Sequence, residues 1–307
     1  MLDQETIKTF ITIVECNSFS KAAKLLFKTP ATITYRIKAL EQQLGIQLFK
    51  RTTRSISLTL AGEHLYQHCC NWHRWIEHMP EELKEIQNGI ERQVNITINN
   101  ILYSPEAVAE LLVYLKKLFP FTQFNIKRQV YMGVWDSLLN GDSHFAIGAT
   151  GWESLDTMFN IYPIGEVTWI FVAEKDHPLA KINGKLSNET LRNFDAINIE
   201  DTSIKMSKRI GWLLSGQREI LVPNLQTKLL CHLKGVSAGF LPKTLCQPYI
   251  DKNQLVPCEV INTRLPSQLS LAWKKNNMGK VINELVTLFT NNNPITEAFY
   301  KNIDIKR

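Results

Sequence analysis

With 307 residues there is room for two or three domains, and 44% hydrophobic against 21% charged residues is an ordinary soluble composition. Asp3, Glu5 and Lys8 interrupt any apolar leader, no run of about eighteen apolar residues offers a membrane span, and the six cysteines form no C-x-x-C pair, so we expect reduced thiols in a cytoplasmic protein. The net charge of +6 is uneven: residues 1–60 hold nine Lys/Arg against four Asp/Glu, and the remainder 26 against 25, which directs any phosphate partner to the first segment.

In chain order, Leu2 to Cys16 predicts a helix with an apolar stripe of Ile7, Phe10, Ile11 and Val14 and with Asn17 as C-cap. A short helix from Ser20 to Leu26 follows, capped by Ser18 or Ser20, with Ala22, Ala23 and Leu26 on its inner face. After a turn at Phe27, Lys28 and Thr29, Pro30 opens a third helix that runs to about Leu44 and stops at Gly45. Ile33, Ile37, Leu40 and Leu44 give it a buried stripe. Its other face carries Thr29, Thr32, Thr34, Tyr35, Arg36 and Lys38. Short hydroxyls followed by cations suit a helix entering the DNA major groove. Lys50, Arg51 and Arg54 lie between Leu48-Phe49 and Ile56/Leu58, the pattern of a two-stranded wing with a basic tip. We expect Thr32, Tyr35 and Arg36 at base edges, and Ser20, Lys21, Thr29, Lys38, Arg51 and Arg54 on the backbone. The competing reading is an exposed charged helix pair in another helical domain.

From Thr59 a long helix is expected, broken or kinked at Pro80. Leu65, Cys69, Trp72, Ile76, Met79, Leu83 and Ile86 alternate at gaps of four and three, a heptad seam for pairing with a second copy. One recognition helix needs a twin to read a two-fold site, so seam and reader explain each other. The alternative is a helix packed on its own chain. Cys16 and Cys69 suit small core positions, which outweighs an oxidant-sensing role for the vicinal Cys69-Cys70. His64 and His68 are four apart, but no cysteine or carboxylate stands at a supporting position, so packing outweighs a metal there.

Beyond the junction at Ile90 to Val94, strands are predicted at Val94–Ile98, Phe124–Gln129, Phe145–Ile147, Thr168–Ala173, Ala196–Ile199, Glu219–Val222, Ser237–Leu241 and Leu269–Trp273. Helices are predicted at Pro105–Leu118, Gly133–Leu139, Asn188–Arg192, Thr227–Leu233 and Gly279–Thr290. Repeated strand–helix–strand units make an α/β sheet with ligands at strand carboxyl ends. Asn99 and Asn100 end the first of these strands, and Ser104-Pro105-Glu106 opens a helix whose free N–H groups suit a carboxylate or ureide oxygen.

The pieces SFSKAAKLL, ATITYRIKALE and LGIQLFKRTTRSISLTLAG, in that order and spacing, resemble the winged helix-turn-helix of LysR-type transcriptional regulators. Ala31 stands where the family usually has Pro, and Tyr35-Arg36 where it has Arg-Gln, so base preference does not carry over. GVSAGFLP, Gly235 to Pro242, matches the family's effector-domain signature; His144 replaces a usual Asp. The resemblance implies a DNA-binding domain over 1–58, a linker and dimerisation helix over 59–90, and an effector domain over 91–307. The effector domain would be two Rossmann-like subdomains related to periplasmic binding proteins, 91–164 with 268–307 and 165–267. It also implies promoter DNA, RNA polymerase and a second or fourth copy as partners, and no cofactor or metal. Carried over residue by residue, the small-molecule effector would meet Asn100, Tyr103 and Ser104, then Tyr131, then Asn198. Glu200 and Asp201 would repel an anion and meet ureido N–H groups instead. Within the family, INNILYSPEAVAELL, NIEDT, VPNLQTK and GFLPKTLCQ resemble regulators of allantoin use, which implies a positive regulator of genes for allantoin as nitrogen source.

Two rival functions arise from the same residues. Gly235-Val236-Ser237-Ala238-Gly239 fits the G-x-S-x-G elbow of α/β-hydrolases, but the elbow needs a strand before Ser237 and a helix after it, the reverse of the predicted order. The other rival is a binding module whose basic reader has drifted to a different acidic partner; the polar recognition face argues against it.

Overall fold

The computed structural model describes residues 2–51, 56–151, 157–276 and 278–305. The chain divides into two compact units, Met1–Asn88 and Gly89–Arg307.

In the first unit, α1 (Gln4–Cys16) starts where the Asp3 side chain accepts from Thr6 N at 2.8 Å and ends on Asn17 in the left-handed region, φ 48°. Ser18, not Ser20, caps α2 (Phe19–Leu25) by accepting from Lys21 N. Thr29 caps α3 (Pro30–Leu44), Pro30 fills its first turn, and Gly45 ends it at φ 67°. The helices close over Phe10, Ile13, Ile33, Ile37 and Leu40, all fully buried. Two details differ from the expected stripes. Ile13 takes the buried place assigned to Val14, and Leu44 is 38% exposed because the last turn runs past the core.

The wing is β1 (Phe49–Arg51) paired antiparallel with β2 (Ile56–Leu58), and Phe49 packs edge-on to Phe10 and Phe19 at 5.4 and 5.5 Å. The expected basic tip, with Arg54, lies outside the described residues. Thr59 caps α4 (Leu60–Gln87), accepting from Gly62 N at 3.0 Å. This helix is one continuous element of 28 residues; Pro80 lies inside it without dividing it. The ring removes a single ladder bond, and the helix resumes beyond it.

The seam expected on α4 is not uniform. Cys69 is fully buried and Leu65 half-buried, both against the core of α1, α3 and the wing, so these two belong to the domain itself. Burial first, then the neighbouring Cys70, pushes the Cys69 thiol up to about 11, as suits a small core residue. Further along, Trp72 (41%), Leu83 (56%) and Ile86 (43%) remain exposed, with Ile76 and Met79 half-buried. His64 and His68 stack edge to face at 4.6 Å. The six cysteines are free.

The second unit contains β3 (Gln93–Asn99), α5 (Pro105–Leu118), β4 (Gln123–Gln129), α6 (Gly133–Leu139), β5 (Phe145–Ala149) and β6 (Phe159–Val167). β7 (Trp169–Glu174), α7 (Asn188–Arg192), β8 (Ala196–Ile199), β9 (Glu219–Val222), α8 (Leu225–Leu233), β10 (Gly239–Pro242), α9 (Lys243–Asp251) and β11 (Leu255–Pro257) follow. The chain then returns through β12 (Ser267–Lys274), α10 (Lys280–Thr290) and β13 (Asp304–Ile305). The main sheet has the order β13-β6-β12-β5-β3-β4, with β3 parallel to β4 and β5, and β12 antiparallel to β5 and β6. The second subdomain holds the antiparallel set β10-β7-β11 and the parallel pair β8-β9. The chain therefore crosses between subdomains after Val167 and returns before Ser267, since β6 stays in the first sheet to its end.

Three strands and a helix escaped the sequence reading: β6, β11, β13 and α9. β6 reads FNIYPIGEV, and its Pro163 and Gly165 look like breakers. Pro163 is tolerated because the pairing of β12 with β6 shifts register between Leu269 and Ser270, placing it at a bulge. His144, the departure from the family pattern, fits without charge: its Nδ1 accepts from Asn95 N at 3.1 Å, and burial first of all lowers its pKa.

Candidate nucleic-acid interface and ligand cleft

On α2 and α3 the residues expected at DNA are largely open. Ser20, Lys21, Thr29, Thr32 and Lys38 are exposed, Tyr35 is 76% exposed, and Thr34 is half-buried. Thr29 is partly committed: its hydroxyl accepts from Thr32 N at 3.1 Å and lies 2.8 Å from the Thr32 hydroxyl. Arg51 ends β1. Arg36 departs from expectation. Its guanidinium turns to α1 and pairs with Glu5 at 2.8 Å and Asp3 at 3.4 Å, and it donates to the Thr6 hydroxyl at 3.2 Å. Lys28 joins the same cluster through Glu5 at 3.4 Å. Arg36 thus braces α3 against α1. One exposed group was not anticipated: Phe27, at the turn, sits at φ 52° and is 94% exposed.

The wing is held to α3 by Glu41, which is buried and accepts from Leu48 N at 2.8 Å and Phe49 N at 3.2 Å. Glu41→Ala orphans two buried N–H groups and is expected to cost the first unit about 2–4 kcal/mol. Glu41→Gln, which keeps an acceptor oxygen, should lose less than half of that. Denaturant titration of the two variants checks this, and an alanine variant as stable as the parent would remove Glu41 from the wing's support.

In the second unit a cleft lies between the subdomains. Its outer part measures about 470 Å³ and is lined by Asn100, Tyr103, Ser104, Arg128, Asn224 and Lys301 among others. Ser104 caps α5, accepting from Ala107 N, and donates its own proton to Glu106 Oε2 at 2.6 Å; that bond, first of all, lowers the Glu106 pKa. The Arg128 guanidinium stands 5.5 Å from the Tyr103 ring centre. Deeper in, a void of about 20 Å³ shares Asn100 and Leu225 with the outer cleft and is lined by Tyr131, Trp169, Lys228, Phe240 and Arg264. Tyr131 holds φ 46°, which turns the chain at this point. Asn100, Tyr103, Ser104 and Tyr131 therefore do come together around one cleft.

Asn198 does not. It is buried, lines neither cavity, and donates to Trp212 O at 3.0 Å and Glu219 Oε1 at 2.7 Å. Glu200 and Asp201 line neither cavity, and both carboxylates have partners within the protein. Glu200 pairs with Lys208 at 3.0 Å. Asp201 is buried and accepts four backbone N–H groups, from Met132 and Gly133 at the start of α6 and from Ser203 and Arg209. It is a clamp across the subdomain crossing.

What sequence reading missed is the charge of the inner void, Lys228 and Arg264. Lys228 had a signal: it stands with Leu225, Leu229 and His232 on the buried face of α8. Arg264 lies outside any helix or strand, in a stretch with no periodicity. The hydrolase reading fails on geometry. Ser237 is buried, its hydroxyl donates to the Asp195 carbonyl, and His232 Nδ1 lies 2.8 Å from the Ser237 carbonyl oxygen, not from its hydroxyl. α8 precedes Ser237 and a strand follows, the wrong order for an elbow.

No helix among the described residues is long and apolar enough to cross a membrane. Solved structures share the fold at low identity. An OxyR mutant from Corynebacterium glutamicum superposes with a TM-score of 0.58 at 18% identity, covering 98% of this chain and 94% of that one. LysG from the same organism, with bound effector Arg, gives 0.50 at 16% identity over 98% and 99%. Among curated relatives, the HTH-type transcriptional activator AllS of Salmonella typhimurium is 53% identical over 299 residues, 97% of each chain. The HTH-type transcriptional regulator PunR of Escherichia coli is 29% identical over 286 residues, 93% of this chain and 92% of that one. Residues 5–63 match the bacterial regulatory helix-turn-helix protein model of the lysR family, and residues 66–293 match the LysR substrate binding domain. With both halves matched in order, and an open helix-turn-helix face and a ligand-sized cleft already in place, the chain belongs to the LysR family of DNA-binding regulators.

Proposed function

We propose that this protein is a cytoplasmic activator of allantoin-utilisation genes that answers to a small polar metabolite in the cleft of its effector domain. The carrying observation is the 53% identity over 97% of both chains with an activator named AllS, together with the segments that resemble regulators of allantoin use. In this reading residues 1–58 read DNA, 59–90 link and pair, and 91–307 sense. Two copies pair along the exposed part of α4, through Trp72, Ile76, Met79, Leu83 and Ile86, and present twin α3 helices to a two-fold promoter site beside RNA polymerase; effector domains join two such dimers. Thr32 and Tyr35 meet base edges, while Ser20, Lys21, Thr29, Lys38, Arg51 and Arg54 hold phosphates. The metabolite meets Asn100, Tyr103, Ser104 and Tyr131, and acts only through a difference in its affinity for two arrangements of the protein.

The test is a footprint and run-off transcription on the promoters of the organism's allantoin genes, with and without ureides. Salt-sensitive protection of a dyad and ligand-dependent transcription are expected. Equal affinity for promoter and scrambled duplex would reject the regulator of these genes. Arg36→Ala is a sharper probe of the interface. As a brace, its loss should weaken promoter and scrambled duplex by the same factor, about two- to fivefold, the worth of an exposed ion-pair cluster. A loss confined to the promoter would return Arg36 to the bases.

A further inference from the structure

The inner end of the cleft has an unusual electrostatic character. Lys228 is only 5% exposed, yet among the described residues its ammonium has neither a hydrogen-bond acceptor nor a carboxylate at ion-pair distance. Glu219 acts on it through space, but that carboxylate is occupied by Asn198. Arg264 stands with Lys228 on the same void. Its guanidinium carbon stands 3.5 Å from the centre of the Trp169 ring, and the nearby Tyr131 side chain favours its charged form. Two cations side by side repel each other, and an ammonium taken out of water without a partner is costly. An anion entering the open cleft would supply the countercharge that the protein itself does not place beside them.

The geometry points to an anionic effector: a small ureido carboxylic acid whose carboxylate seats between Lys228 and Arg264 while its ureido end lies in the outer cleft. This rests on the cleft reading given above and specifies the class of molecule. The inner void of about 20 Å³ admits a water-sized group, which suits one oxygen of a carboxylate. The outer cleft supplies amide groups for a urea: Asn100 and Gln226, the Asn224 Nδ2 beside an Oδ1 that caps α8, and the Asn302 Oδ1 beside an Nδ2 that donates to the Ile101 carbonyl. Arg128 and Lys301 outweigh the lone Glu106 on its rim, so the approach is also favourable to an anion.

The experiment is calorimetric titration of the full-length chain with N-carbamoylglycine and with its neutral amide, alongside allantoate and allantoin. The acids should bind at least tenfold more tightly than their neutral counterparts. Lys228→Met, which keeps the length and removes the charge, should erase that preference while leaving the melting temperature equal or higher. Arg264→Gln should lower acid affinity about tenfold as an independent variant. Tighter binding of the amide and of allantoin would overturn the anionic class while leaving the cleft as the effector site. Failure of every carboxylate and every neutral compound would overturn both. Acid preference that survives in both variants would remove Lys228 and Arg264 from the site.

Discussion

Asp201→Ala should lower the stability of the second unit by about 3–5 kcal/mol. The carboxylate is buried, and its two oxygens accept from Met132 N and Gly133 N at 3.2 Å each, Ser203 N at 2.9 Å and Arg209 N at 2.7 Å. Alanine leaves the Met132, Ser203 and Arg209 N–H groups without this acceptor, while Gly133 N keeps its bond to the Val130 carbonyl at 2.9 Å. Asp136 works beside it in the opposite direction, reaching from α6 to Ile204 N at 2.6 Å and Lys205 N at 3.0 Å. Burial alone would raise the Asp136 pKa, but these N–H groups, with Asn140 and Ser203, outweigh it and hold the carboxyl below its usual range. The two carboxylates therefore fasten the loop after β8 to the first subdomain. In scanning calorimetry of the whole chain, the transition of the second unit should fall by roughly 10 °C in Asp201→Ala, taking 2–4 °C per kcal/mol for a unit of this size. Asp201→Asn, with one acceptor oxygen left, should fall by about half as much. An alanine variant that melts with the parent would mean that these N–H groups find water and that the clamp carries no stability.

The sequence announces some of these features and conceals others, for physical reasons. α3 is readable because its cap, first-turn proline, buried stripe and terminal glycine all agree, and each has a local cause. β6 is concealed because its proline and glycine are excused by a bulge that exists only once β12 is paired with it. Arg36 looks like a base reader on a helical wheel. Its partners Asp3 and Glu5 lie about thirty residues earlier, and only the packing of α1 on α3 brings them into reach. Asn198 was placed at the ligand by resemblance, whereas its amide is spent on Glu219 and Trp212. In the cleft, the amide and hydroxyl groups near Ser104 follow from a strand end and a helix cap that local patterns mark. The Lys228–Arg264 pair joins a helix to a loop some thirty-five residues later, and no periodicity links the two.

That pair also predicts a steep pH dependence. Burial first, then the Arg264 charge, pushes the Lys228 pKa down to about 7, against partial support from Glu219 and Cys246. The other titratable groups facing it are silent near neutrality: the Cys246 thiol is pushed up to about 12 and the His232 imidazole down to about 3, both by burial first. In the unfolded chain Lys228 keeps its proton to about 10.5, so between about pH 7 and 10.5 the unfolded state holds more protons than the folded one. Over that window the contribution of Lys228 to stability rises with pH. Ligand affinity should run the other way. A carboxylate binds the ammonium and restores its proton, so above about pH 7 binding must first pay for protonation, and affinity falls by up to tenfold per unit. The dissociation constant of N-carbamoylglycine should therefore be about ten- to thirtyfold weaker at pH 8.5 than at pH 6.5, and binding at pH 8.5 should take up close to one proton. In Lys228→Met both trends should vanish, because Arg264 does not titrate in this range. Calorimetry in two buffers of different ionisation enthalpy reads the proton count directly. A flat affinity with no proton uptake in the parent chain would show that the bound carboxylate never meets the Lys228 ammonium.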